Sequence, residues 1–278
     1  ILQLAHSSSS SSSPSASSVC TPEHRNGLLE FKRYAVEDDP SGLWLSSWTL
    51  TTNTSSSSTT INTTTTNDDC CEWKGVECDT NGHVIGLSLN NCGGIGLTDQ
   101  AILVRAQQTA LHGSLTPDAL LALSASNISK TLSTLDLGCQ LFHGSIPREI
   151  GSLVSLSHLD LSFQAQASPH TYGTHSNRVL TGPIPDELWS LPRLSYLDLG
   201  YNSITGTISP LVGNCTTLTN LHLGTNNLTG EVPSSLGHLA LLETLDISSN
   251  AGLNSLPPPD WIPSFVHLRL LDISLCDF

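Results

Sequence analysis

At 278 residues the chain is long enough for one large domain or two small ones with a substantial core. Only 12% of it is charged, and 10 Lys+Arg against 24 Asp+Glu give a net charge of −14, which argues against nucleic acid or an anionic membrane as partner. No apolar run reaches the roughly 18 residues that a membrane-spanning helix needs.

The chain opens on Ile1-Leu2-Gln3-Leu4-Ala5 and a serine run, and it holds no methionine. Residues 1–19 therefore read as a signal-peptide remnant from a longer gene product, or as a disordered Ser-rich segment. Residues 20–82 read as a cap. Thr21 precedes Pro22 as a helix cap would, and Leu28, Phe31 and Ala35 then share one helical face. Residues 49–67 are rich in Ser and Thr and are expected to form a disordered or glycosylated loop. Cys20, Cys70, Cys71 and Cys78 lie near Asn-x-Ser/Thr sequons, a combination that favours the secretory pathway and disulfides. The Cys71 to Cys78 spacing does not fit a zinc knuckle and only His83 lies near, so no metal is expected.

From residue 83 to 278 the phrase Leu-x-x-Leu-x-Leu recurs. Its middle apolar positions are Leu87, Leu135, Leu159, Leu197, Leu221, Leu245 and Leu271. Three of the steps are 24 residues. The step from 159 to 197 is longer by a 14-residue insertion, and the 48-residue step from 87 to 135 reads as one repeat with a long insertion. A period near 24 is that of a solenoid coil, and Leu-x-Leu is a short strand with both leucines inward. Strands of successive coils are expected to pair in parallel in one sheet. Five residues after the middle Leu stand Cys92, Gln140, Gln164, Asn202, Asn226, Asn250 and Cys276, where an amide side chain is expected to satisfy backbone groups of the next coil. A second phrase follows, such as Leu228-Thr229-Gly230-Glu231-Val232-Pro233, whose Gly and Pro break the strand and steer the chain outward.

These residues resemble the plant extracellular leucine-rich-repeat family, whose repeat reads Leu-x-x-Leu-x-Leu-x-x-Asn-x-Leu-(Thr/Ser)-Gly-x-Ile-Pro. Leu218 to Val232 follows it with Val in place of Ile. The cap resembles the family's as well, in Cys20 to Lys32, Leu45-Ser46-Ser47-Trp48, Asp69 to Asp79 and Gly82-His83-Val84-Ile85. The resemblance covers residues 20–278 and is greatest to receptor-like proteins and receptor-kinase ectodomains. It implies an α/β solenoid, a right-handed superhelix with a parallel concave sheet and a helical, disulfide-bonded amino-terminal cap. It also implies the pairs Cys20–Cys70 and Cys71–Cys78. The chain stops mid-coil at Phe278 with no closing cap, so a truncated array that is poorly soluble alone is expected.

No catalytic constellation is present: no Gly-x-Ser-x-Gly, no His-Glu-x-x-His, no phosphate loop, and neither enzyme activity nor a cofactor is expected. In this family function lies on the concave face. The outward position between the two leucines gives Ser88, Asp136, Asp160, Asp198, His222, Asp246 and Asp272, a stack of carboxylates at strand spacing, about 4.8 Å. A second column just before the middle Leu holds His158 and Tyr196, and a third, four residues after it, holds Phe163 and Tyr201, with Tyr196 and Tyr201 expected on one strand. Together with His222 and Asp198 these large side chains form the expected ligand site. The insertion 165–179, with His170, Tyr172 and His175, is a candidate wall of that site. The acidic column calls for a ligand with a cationic residue beside an apolar or sugar face. The five sequons stand at Asn53, Asn62, Asn127, Asn214 and Asn227. Cys215 is expected to be a buried free thiol, and Cys139 has no evident role.

The function implied is extracellular recognition of a peptide, protein or glycan in defence or developmental signalling, with a co-receptor kinase as a further partner. Neither nucleic acid nor membrane contact is expected within this segment, and the place is the apoplast or the cell surface. The alternatives are a secreted inhibitor of a microbial wall-degrading enzyme and a structural cell-wall glycoprotein.

Overall fold

The computed structural model describes residues 19–39, 42, 44–48, 69–91, 110–163, 179–254 and 264–276. Outside them lie Asn53 and Asn62, the loop 49–67, Cys92 and Gln164. The insertion residues His170, Tyr172 and His175 lie outside them too.

The cap opens with α1 (Pro22–Ala35). Thr21 Oγ1 accepts the His24 N–H, Pro22 occupies the first turn where no N–H is needed, and Lys32 and Arg33 stand in the last turn where the helix dipole favours cations. Leu28, Phe31 and Ala35 are buried, as their spacing predicts. Lys32 donates to the carbonyls of Leu45 (3.1 Å) and Trp48 (3.0 Å), and the Trp48 ring stacks on Trp73 at 5.4 Å. His24, only 3% exposed, accepts the Val84 N–H on Nδ1 at 2.9 Å and so ties the helix to the first coil. The cap disulfides are Cys20–Cys70 and Cys71–Cys78, the pairs implied by the resemblance.

The chain leaves α1 as β1 (Val36–Asp38) and returns as β2 (Val76–Cys78) and β3 (Val84–Ser88). The first coil continues with β4 (His112–Ser114) and α2 (Pro117–Ala125). Later coils alternate a strand from the leucine phrase with one from the Gly-Pro phrase. In order these are β5 (Thr134–Asp136), β6 (Leu141–Ser145), β7 (His158–Asp160), β8 (Leu180–Gly182), β9 (Tyr196–Asp198), β10 (Ser203–Gly206), β11 (Asn220–His222), β12 (Asn227–Glu231), β13 (Thr244–Asp246), β14 (Gly252–Asn254) and β15 (Leu270–Asp272).

The leucine strands form one sheet in the order β15-β13-β11-β9-β7-β5-β3-β2, parallel from β3 to β15. Leu87 pairs directly with Leu135, so the 48-residue step is a single repeat. The Gly-Pro phrase does more than end a strand. It builds a second sheet, β1-β4-β6-β8-β10-β12-β14, parallel from β4 to β14. Its recurrent glycines Gly144, Gly182, Gly206 and Gly230 sit at φ +74 to +86, a conformation only glycine adopts without strain. Short 3₁₀ turns such as Arg148–Ser152, Asp186–Ser190, Pro210–Asn214 and Ser234–His238 complete the coils and bury Ile150, Leu188, Val212 and Leu236.

Between the sheets the inward leucines stack without a break, and Leu135, Leu159, Leu197, Leu221 and Leu245 are fully buried. A polar ladder runs beside them. Asn226 Nδ2 donates to Leu199 O (2.9 Å) in the preceding coil and to Leu223 O (3.1 Å) in its own, while Oδ1 accepts Ile204 N–H (2.9 Å). Asn202 and Asn250 repeat the arrangement, and Gln140 reproduces two of its bonds, to Leu89 O and from Leu111 N. The amides therefore reach back to the preceding coil, contrary to the expectation that they serve the next one. The peptide groups left unpaired at that turn belong to the coil already laid down.

Candidate functional site

The in-register pairing of β5, β7, β9, β11 and β13 sets the outward side chains in columns. Asp136 faces Asp160, Asp160 faces Asp198, Asp198 faces His222, and His222 faces Asp246. In the adjoining column Thr134, His158, Tyr196, Asn220 and Thr244 follow one another. None of these outward positions is Lys or Arg.

The structure brings the six residues expected at the site onto one surface. The His158 and Tyr196 rings stack at 4.2 Å with an interplanar angle of 11°, and His222 tilts against Tyr196 at 5.9 Å. Phe163 stacks on Tyr201 at 3.9 Å and 16°. Tyr201, however, does not share a strand with Tyr196. It follows β9 in a turn at φ 56, and Phe163 holds the same place after β7 at φ 54. Cys139, Thr225, Ser249 and Leu275 share this left-handed conformation, so it belongs to the coil and not to any one side chain. The turn lifts Tyr201 to 44% exposure while Tyr196 stays half-buried.

The aspartates have a structural task the sequence did not disclose. Each turns a carboxylate oxygen onto the backbone N–H two residues on. The bonds are Asp136 to Gly138 (3.1 Å), Asp160 to Ser162 (2.8 Å), Asp198 to Gly200 (2.9 Å) and Asp246 to Ser248 (2.9 Å). This holds the carboxyl groups against the surface of the sheet. At Asp160 and Asp198, burial and the neighbouring carboxylate make this a protonation-linked effect. Burial, and then the Asp160 carboxylate, push Asp198 up to about 7, against the opposing bonds from Gly200 N–H and the Tyr196 hydroxyl. Burial also raises Asp160, and burial with Asp198 beside it raises the Tyr196 phenol. His222 is lowered by burial despite Asp246 and Asp160 nearby.

A folded-state value above the unfolded one means that Asp198 holds its proton more tightly when folded. Its contribution to stability is full below the ordinary carboxylate value of 3.8 and is lost as pH rises through about 7. Asp198→Asn keeps the oxygen that accepts Gly200 N–H and removes the titration. Thermal melts from pH 4 to 8 should therefore fall less steeply for Asp198→Asn than for wild type. Parallel curves would refute the assignment.

Among the described sequons, Asn127, Asn214 and Asn227 are all exposed, and none lies on a leucine strand. Glycans at these positions would leave the leucine-strand face clear. Cys215 is a buried free thiol pushed up to about 11 by burial, with Sγ 3.3 Å from Trp189 O, and Cys139 is disulfide-bonded.

The family model for the Leucine Rich Repeat matches residues 193–215 and 217–239. Receptor-like protein EIX1 of Solanum lycopersicum is 34% identical over 146 residues, 52% of this chain and 12% of its own length. Receptor-like protein 50 of Arabidopsis thaliana is 34% identical over 158 residues, 53% of this chain and 16% of its own length. The chain thus spans less than a fifth of either relative. Among solved structures, the plant peptide hormone receptor RGFR1 in complex with RGF2 superposes with a TM-score of 0.55 at 29% identity, covering 74% of this chain and 26% of that one.

Proposed function

We propose, from the premise that this chain is a leucine-rich-repeat solenoid of the plant extracellular receptor-like family, that it is a ligand-recognition segment whose leucine-strand face binds a peptide carrying a cationic side chain. The observation that carries this reading is the pairing of stacked rings with an acidic column that has no Lys or Arg among its outward neighbours from β5 to β13. Stacking matters to the choice between peptide and glycan. His158 and Tyr196 cover each other's faces, as do Phe163 and Tyr201, so the rings offer mainly edges outward. A sugar would seek a bare ring face. A peptide gains from a rigid apolar ridge beside carboxylates that can accept from an ammonium or guanidinium group. The similarity to a peptide hormone receptor supports the same choice. The cap disulfides and exposed sequons support an extracellular setting, and a co-receptor kinase is the proposed second partner.

A random peptide library panned against the chain should return sequences enriched in Lys and Arg. For a selected peptide, Tyr196→Ala and Tyr201→Ala should each weaken binding by about 30-fold, the effect of a hot spot worth about 2 kcal/mol. Asp198→Asn should weaken it less and flatten its salt dependence. The reading fails if the tyrosine variants bind like wild type while Leu211→Ser, on an outer 3₁₀ turn, weakens binding.

A further inference from the structure

The coil explains why an aspartate follows each leucine, but it does not explain His158. At the equivalent position other coils carry Thr134, Tyr196, Asn220 and Thr244, none of them a histidine. His158 lies two residues before Asp160 on β7 and so projects from the same side, and the neighbouring strand places Asp136 in register with Asp160. One donor atom from each of Asp136, His158 and Asp160 can be chosen so that all three lie within 4.8 Å of one another.

We propose that Asp136, His158 and Asp160 form a binding site for a divalent transition-metal ion, of which zinc best fits the donor set. Zinc accepts both imidazole nitrogen and carboxylate oxygen, and three protein ligands on an open face leave a coordination position for water or for a group of a bound molecule. Zinc bonds of about 2.0–2.2 Å require the donors to close by roughly 1 Å, within reach of small side-chain rotations.

The surroundings hold these donors in place. Asp136 Oδ1 accepts from Gly138 N–H (3.1 Å) and Asn90 Nδ2 (2.9 Å), and its Oδ2 accepts from Ser88 Oγ (3.2 Å). Asp160 Oδ1 accepts from Ser162 N–H (2.8 Å). The His158 ring is held by its stack on Tyr196, which fixes the plane in which its nitrogens point. Ligands whose remaining bonds are already made cost less to organise around a metal. Charge favours the same conclusion: Asp136, Asp160 and Asp198 stand side by side with no Lys or Arg at the outward positions of their strands, so a divalent cation meets negative charge that no outward basic side chain of those strands offsets.

The inference stands apart from the peptide reading, because it is tested with the metal alone. The full chain, stripped with chelator, is titrated with Zn²⁺ by calorimetry and with Co²⁺ by visible absorption. One site of roughly micromolar affinity is expected, with Co²⁺ bands that a nitrogen-oxygen set produces. His158→Ala and Asp160→Asn should each weaken Zn²⁺ by at least about 10-fold, while His143→Ala, near Glu37 in the cap, should leave it unchanged. Asp160→Asn keeps the oxygen that accepts Ser162 N–H, so it remains folded even if His158→Ala does not. Binding that is absent below millimolar Zn²⁺, or that Asp160→Asn and a folded His158→Ala leave intact, overturns the proposal. Either result leaves the tyrosine tests of peptide binding untouched.

Discussion

Asn226→Leu should destabilise the central coils by about 3–5 kcal/mol. Its side chain makes three backbone bonds in a buried position. The two carbonyls it serves keep a partner after the change, because Leu199 O also accepts from Asn202 and Leu223 O also accepts from Asn250. The Ile204 N–H, by contrast, loses its acceptor inside the core. Two lost bonds at about 1 kcal/mol each and one orphaned donor at about 1–3 kcal/mol give the total. Asn226→Gln should cost clearly less, since Gln140 reproduces the outer two bonds elsewhere in the same array. Chemical denaturation of the three proteins checks the order. Equal midpoints for Asn226→Leu and wild type would mean that water replaces the amide and that the ladder is not what joins the coils.

Loss of Cys20–Cys70 should cost about 4 kcal/mol, because the bond spans 50 residues of unfolded chain, and loss of Cys71–Cys78, spanning 7, about 2.5 kcal/mol. The larger effect is structural. Cys20 and Cys70 bracket the segment that contains α1 and β1, while Cys78 ends β2. Freed from the bonds, α1 would no longer be held over the first coil, and the Leu28 and Phe31 side chains would meet water. Cys20→Ser with Cys70→Ser should therefore lower the melting temperature and increase light scattering on heating. Reduction of the wild type should do the same. A reduced protein with an unchanged melt would show that packing of α1 alone secures the cap.

The repeat was legible because each inward leucine is dictated by burial, and burial has a period. That period located seven strands and the direct pairing of Leu87 with Leu135. Thr21 and Pro22 marked the helix start by a rule that acts within four residues. What stayed hidden depends on directions that periodicity does not carry. Whether Asn226 serves the coil before or after it is decided by where unpaired peptide groups face at the turn. The second sheet arises from the short Gly-Pro phrase, whose glycines suggest an interruption and whose neighbours nevertheless pair. For the site, the sequence placed the aromatic residues in the right columns but put Tyr201 on a strand. The left-handed turn shared by Phe163, Tyr201 and Thr225 has no residue preference to betray it, because the coil imposes it. The aspartate column looked like surface charge; its bonds to the backbone two residues on explain its regularity, while burial and the neighbouring Asp160 raise Asp198.

β1 and β2 run antiparallel to the sheets they join, one on each. Every other pairing in both sheets is parallel and repeats from coil to coil, so an unblocked first strand would present the same hydrogen-bonding edge that any later coil presents. The two cap strands reverse that pattern on both sheets at once. The approach is close: a Cβ at Gly113 would lie 1.9 Å from Ala35 O. The solenoid is thereby polar in the manner of a capped filament. At its α1 end, β3 and β4 are covered by antiparallel partners, so the edges offered there, β2 and β1, do not repeat the parallel pattern, and among the described residues the repeating parallel edge is left at β14 and β15.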